Sequence, residues 1–170
     1  ERVNIVTKEL FKKFKKPQDF INLSQEELEK GIFSTGFYKQ KAKSIKACCE
    51  ELIKKHKCKV PENFDELVKL PGVGRKTASV IAGNAFGIPA IAVDTHVKRL
   101  SNFLGFIDSQ NPDKIEIRFK ELLPESYWIN SSHWLATHGR KVCIANRPKC
   151  NECVISDLCP SFVSSFNKKK

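Results

Sequence analysis

Two residues in the middle of the chain are of types that could do covalent chemistry. Lys76 stands two positions past Gly74, in the first turn of a helix that the pattern predicts over 75–86, with Arg75 beside it. The dipole at a helix N-terminus opposes a cation and favours the neutral amine, the form that attacks an electrophilic carbon. The plainer reading makes Lys76 a phosphate contact. Asp94 precedes Thr95-His96-Val97 at the start of a later predicted helix, where an aspartate is an ordinary N-cap worth about 1 kcal/mol. The first helix carries the chain away by about 18 Å, and residues 87–93 can span up to about 23 Å when extended. The return is long enough to set Asp94 beside Lys76 as a base, so cap and base both stand as roles.

A second group could bind metal. Seven cysteines are an odd number, and four of them, Cys143, Cys150, Cys153 and Cys159, fall within 17 residues with spacings of six, two and five. Four thiolates so close suit tetrahedral zinc or a [4Fe–4S] cube, both of which are held by four cysteines. Disulfides fit less well, because three more cysteines lie outside the group and the odd count argues for a reducing compartment. Cys48, Cys49 and Cys58 read as separate thiols. A loop tied down at Cys143 and Cys150 could present Arg147 and Lys149 rigidly to phosphates.

A third group could grip a polyanion without chemistry. Leu70-Pro71-Gly72-Val73-Gly74 joins two predicted helices through a turn bracketed by glycines. Glycine allows backbone angles closed to other residues and leaves no side chain between the turn and a visitor. Amides there and in the first turn of the next helix point outward at the positive end of its dipole, a phosphate grip blind to base sequence. Leu70, Gly72, Val73, Gly74 and Arg75 are therefore candidate contacts to DNA; the alternative is a simple αα-corner packed in the core.

The elements that must hold these groups are helices. Apolar residues recur at helical spacing almost everywhere. Val3, Val6, Leu10, Phe11 and Phe14 form one stripe. Ser24 with Glu27 makes a capping box for a short helix ending near Gly31, and further helices are predicted over about 38–56, 64–70, 75–86, 94–104, 112–123 and 127–138. Gly139 reads as the residue just past the last of them. No alternating strand pattern of useful length survives, so the fold class is all-α, with a lysine tail at 168–170. Trp128, His133 and Trp134 read as core.

Composition narrows the partner. The chain has 170 residues, 41% hydrophobic and 29% charged, and carries a net charge of +11. That composition suits a globular protein rather than a disordered one, and so basic a domain suits a polyanion. No run approaches the roughly 20 apolar residues of a membrane span. There is no Met, and Glu1 opens inside a helical pattern, which reads as a chain without its natural N-terminus.

The run Leu70–Ala78, then Ala92-Val93-Asp94-Thr95-His96, then His138-Gly139-Arg140, then the four cysteines, resembles the endonuclease III family. This is the iron–sulfur branch of the helix-hairpin-helix DNA glycosylases, and the match extends from about Val3 to Cys159. The resemblance implies two helical lobes, about 1–88 with the hairpin and 89–170 with Asp94 and the cysteines, with DNA in the cleft between them. It implies a monomer acting on duplex DNA with damaged bases or abasic sites. Lys76 would displace an oxidised pyrimidine from C1′ of a flipped nucleotide and then cleave the strand by β-elimination, with Asp94 assisting. The cysteines would hold a [4Fe–4S] cluster, structural in role.

In the family the residue after the glycine of Ser34-Thr35-Gly36-Phe37 is an apolar wedge, which makes Phe37 a candidate DNA contact. His96 reads as structural. The resemblance further implies helices ahead of Glu1, including a Leu-Ser-Ala-Gln segment that fills the gap left by the extruded base. An N-terminally incomplete chain with an enzyme as its full-length parent is thus expected. The rivals are a mismatch-adenine glycosylase, whose branch generally lacks a lysine at position 76, the 8-oxoguanine branch, which typically lacks the cysteines, and a non-catalytic metal-stabilised DNA-binding module.

Overall fold

A computed structural model describes residues 2–167, with side chains as far as Ser164; Glu1 and the lysine tail 168–170 lie outside it. Among the described residues there are ten α-helices and no strand. None of those helices is long and apolar enough to cross a membrane. The chain divides into two compact units, Glu1–Gly74 and Arg75–Lys170.

The first unit contains α1 (Arg2–Lys13), α2 (Pro17–Asn22), α3 (Gln25–Ile32), α4 (Tyr38–His56) and α5 (Phe64–Lys69). Its core is Leu10, Phe20, Leu28, Ile32, Ala42 and Cys49, with Val6 and Phe14 packed against it. Val3 and Phe11, expected in the same stripe, are exposed. The capping box forms as expected: Ser24 Oγ accepts from the Glu27 amide at 3.1 Å and Glu27 Oε2 accepts from the Ser24 amide at 2.7 Å. Helix α2 had no counterpart in the apolar pattern. Pro17 supplies its first residue, and Asp19 Oδ2 accepts from the amides of Lys15 and Lys16. Two lysines of α4 serve the backbone: the Lys41 ammonium donates to the Thr35 carbonyl and that of Lys46 to the Leu23 carbonyl.

The second unit contains α6 (Arg75–Phe86), α7 (Thr95–Phe103), α8 (Pro112–Leu122), α9 (Trp128–Lys141) and α10 (Pro160–Asn167). Ile91, Val97, Ile115 and Phe119 form its core, flanked by Trp128 and Leu135. Helix α6 groups here, whereas the sequence reading placed it in the first lobe. The Arg75 guanidinium, 3.1 Å from Asp113 Oδ1 and 3.0 Å from Glu116 Oε2, ties α6 to α8. A Cβ at Gly83 would stand 3.1 Å from Ile129 of α9, so α6 and α9 approach closely.

Helix α9 does not stop at His138. It continues to Lys141, which places Gly139 inside the helix rather than past its end. A Cβ at Gly139 would stand 2.8 Å from the Cβ of His96. The glycine is there for helix packing between α7 and α9, not for a left-handed cap. The His96 ring packs against this glycine with its Nδ1 buried. The core reading of His133 and Trp134 fails, since both are exposed. Trp134 is 58% accessible and packs on Tyr127, and His133 Nε2 lies 3.0 Å from Asn84 Oδ1.

Candidate active site

Lys76 and Asp94 line one cavity of about 240 Å³, together with Arg140, Ser79 and Thr137 at the same end. They also line a second, more open depression with His96 and Lys98. Lys76 gets there because it sits one residue into α6, where the first-turn amides have no intrahelical acceptor and the dipole is positive. The irregular stretch 87–94 returns the chain to the start of α7, which its length allows.

Asp94 divides its two oxygens. Oδ1 accepts from the amides of His96 at 2.9 Å and Val97 at 2.8 Å, which is the N-cap of α7. Oδ2 lies 3.8 Å from the Arg140 guanidinium, and the side chain is only 17% accessible. The cap therefore fixes the carboxylate without consuming it. One oxygen remains for the cavity that holds the lysine.

The hairpin residues behave differently from one another. Leu70 is buried at 3%, so its side chain anchors the turn and is not available to DNA. The Leu70 carbonyl accepts from the Val73 amide at 3.0 Å, closing the turn. Gly72 has φ +79°, and a Cβ there would stand 2.8 Å from the Cβ of Ser44, so glycine is needed twice over. Gly74 has open space around its Cβ position. The Arg75 side chain is committed to the two carboxylates of α8.

Phe37 is 89% exposed and holds φ +49° at the start of α4. A bulky residue in the left-handed region is uncommon and costs backbone energy, so its occurrence marks a position to explain. Its neighbour Tyr38 packs into the core and against Phe33, with ring centroids 4.8 Å apart. The two aromatics thus split into one anchor and one projecting ring.

Cys143, Cys150, Cys153 and Cys159 line a single apolar cavity with Leu100, Phe103 and Phe162. No disulfide joins any of the seven cysteines. Among the described residues no group of three or more His, Cys, Asp or Glu is disposed to hold a metal ion. Burial pushes the Cys143 thiol up, opposed by the Arg99 guanidinium. That guanidinium donates to the carbonyls of Gly139 and Cys143, while its Nε is buried without an acceptor. The Cys153 Sγ lies 3.6 Å from His138 Nε2. Four thiols around one cavity, with the half-buried Arg99 guanidinium bonded to the Cys143 carbonyl, fit an anionic group with sulfur ligands. In the loop after Cys143, Arg147 and Lys149 are exposed, and Lys149 lies 3.7 Å from Glu152.

The sequence reading missed the far end of the Lys76 cavity, lined by Asn84 and His133. The signal was available in spacing, since Lys76, Val80 and Asn84 share one face of α6, but nothing marked that face as concave.

A family model described as "HhH-GPD superfamily base excision DNA repair protein" matches residues 1–125. The chain is 42% identical over 165 residues to endonuclease III of Rickettsia prowazekii, covering 97% of this chain and 78% of that protein. It is 45% identical over 158 residues to endonuclease III of Bacillus subtilis, covering 92% and 72%. Among solved structures, a trapped endonuclease III–DNA covalent intermediate superposes with a TM-score of 0.93 at 43% identity, covering 97% of this chain and 78% of that one.

Proposed function

This chain belongs to the endonuclease III family of the HhH-GPD superfamily, a base excision repair DNA glycosylase and abasic-site lyase, and we propose that Lys76 and Asp94 perform its chemistry on oxidised pyrimidines. The observation that carries the assignment is the shared cavity in which Asp94 keeps one oxygen off its cap.

In this reading the Lys76 amine attacks C1′ of an extruded nucleotide, the glycosidic bond breaks and the base departs. The sugar ring opens to an imine on the lysine. Loss of the C2′ proton then expels the 3′ phosphate, and water releases the amine. Asp94 Oδ2 takes up the proton that the amine sheds and balances the charge that develops on the sugar. Arg140 holds that carboxylate from the other side. A damaged base is favoured because weak stacking and pairing lower the cost of extrusion. The trapped covalent intermediate of the related endonuclease III supports a nucleophilic route.

The four cysteines would hold a [4Fe–4S] cluster. Four cysteines suit either a lone zinc or such a cluster, and the spacing of six, two and five, which resembles that of the endonuclease III family, favours the cluster. The cluster would supply cross-linking of the segment after α9, since base release and β-elimination move no net electrons to a cofactor. Such a protein works where chromosomal DNA is, which in a bacterium is the cytoplasmic nucleoid and in a eukaryote the nucleus or mitochondrion.

The test is a time course on duplexes carrying thymine glycol, an abasic site or an adenine mismatch. Base release from thymine glycol with strand cleavage is expected. Release of mismatched adenine alone would overturn the pyrimidine assignment, and salt-dependent binding with no cleavage would leave only a DNA-binding module.

A further inference from the structure

The Lys76 cavity has a second end that the reaction itself does not use. Helix α6 contributes Lys76, Ser79, Val80, Gly83 and Asn84 to it, and α9 contributes Ile129, Ser132, His133, Thr137 and Arg140. These are spacings of three and four along each helix, so the cavity is a groove running between one face of each. Lys76 and Asn84 are separated by about 12 Å of helix axis. An extended lysine stem and one six-membered ring together occupy such an interval.

Scaffold bonds already consume part of the polar lining. Ser132 Oγ accepts from the Ala92 amide at 2.9 Å and donates to the Trp128 carbonyl at 3.3 Å. Val80 and Ile129 make the floor apolar, and Gly83 lets that floor close up on Ile129. At the far end stand Asn84 and His133, both exposed, with Asn84 Oδ1 3.0 Å from His133 Nε2. With the imidazole donating, the Asn84 carbonyl is occupied and its amide N–H groups are left to meet a ligand.

We propose that the Asn84–His133 pair reads the edge of the extruded base and so sets which lesions are released. The inference rests on the assignment of Lys76 as nucleophile: once C1′ is at the amine, the base extends along the groove away from it. An oxidised thymine offers a carbonyl acceptor at C4 and an oxidised cytosine an amino donor. The Asn84 amide can serve either by rotating, and His133 steadies the rotamer that donates. Asn84 and His133 are exposed in the free chain, so discrimination arises when a base covers the pair and a mismatched edge leaves a polar group unpaired beneath it.

Three duplexes test this on the full chain: thymine glycol, 5-hydroxycytosine and a preformed abasic site. The third has no base to read. Asn84→Ala and His133→Ala should lower kcat/KM for base release at least tenfold more than they lower strand cleavage at the abasic site. Asn84→Asp keeps the shape but only accepts, so it should shift the 5-hydroxycytosine to thymine glycol ratio upward by tenfold or more. Equal losses on all three duplexes, or an unchanged lesion ratio in Asn84→Asp, would make the pair a mere tie between α6 and α9. A wild-type protein inactive on all three would instead overturn the Lys76 assignment.

Discussion

Asp94 caps α7 with one oxygen and, in the proposed reaction, takes up a proton with the other, and substitution can separate the two. Asn at this position can still accept the His96 and Val97 amides, because Asn caps helices as well as Asp does. Asp94→Asn should therefore keep the melting temperature while lowering turnover by about 10²- to 10⁴-fold, the usual worth of a positioned acid–base group. Asp94→Ala should lose a further ~1 kcal/mol of stability, measurable by denaturant unfolding. If Asp94→Asn retained full activity, the residue would be a cap and nothing more. Phe37 gives a second prediction of this scale. Phe37→Ala removes a ring that is 89% exposed, so stability should barely change while kcat/KM on lesion duplexes falls. A stability loss with unchanged activity would return Phe37 to the fold. Residue type and spacing alone brought Lys76 and Asp94 forward as candidates but left Asp94 as either cap or base; what spacing could not say was which of its oxygens the cap takes.

At the scale of helices, Gly139 shows where pattern reading stops. A glycine after a run of helical spacing looks like a terminator, yet α9 passes through it because His96 fills the space that a Cβ would need. That requirement lies in a neighbour 43 positions away, and no local signal reports it. Gly139→Ala should destabilise the protein by about 1–3 kcal/mol through overpacking, seen as a lower thermal midpoint. An unchanged midpoint would show that α7 and α9 can separate freely.

Helix α6 is held to α8 by the side chain of Arg75, a residue whose place in the hairpin made it a candidate DNA contact. Glu116 is pulled in two directions: burial pushes its carboxyl up, but hydrogen bonds from Lys120 and Arg75 outweigh that and leave it below the usual value of 4.5. A depressed carboxylate adds stability that is fully present above its unfolded value and is lost as pH falls through its folded value. The wild-type midpoint should thus decline below about pH 4.5 more steeply than that of Glu116→Gln. Parallel declines would mean that the Arg75–Glu116–Lys120 network adds nothing to folding. Helices α2 and α10 escaped the apolar pattern for a related reason: both are short and open with Pro17 and Pro160, which read as linker residues until their neighbours are known.

For the molecule as a whole, a net charge of +11 sets how it meets DNA before any base is read. Backbone contacts release counterions, so the logarithm of affinity should fall linearly with that of salt, by roughly 0.9 per phosphate engaged. Undamaged and lesion duplexes should show similar slopes. A flat salt response would deny the basic surface its role. The all-helical class and the order of the motifs were readable from the chain, whereas the groove between α6 and α9 arises only when Lys76 and Asn84 of α6, Asp94 ahead of α7 and His133 of α9 are brought together from three separate stretches. Everything proposed for that groove depends on one bond to carbon. Borohydride reduction during turnover on an abasic duplex, followed by peptide mapping of the adduct by mass spectrometry, measures it directly. The account predicts a single adduct on Lys76 that disappears in Lys76→Ala; an adduct on any other of the chain's amines, or one that survives the substitution, would contradict it.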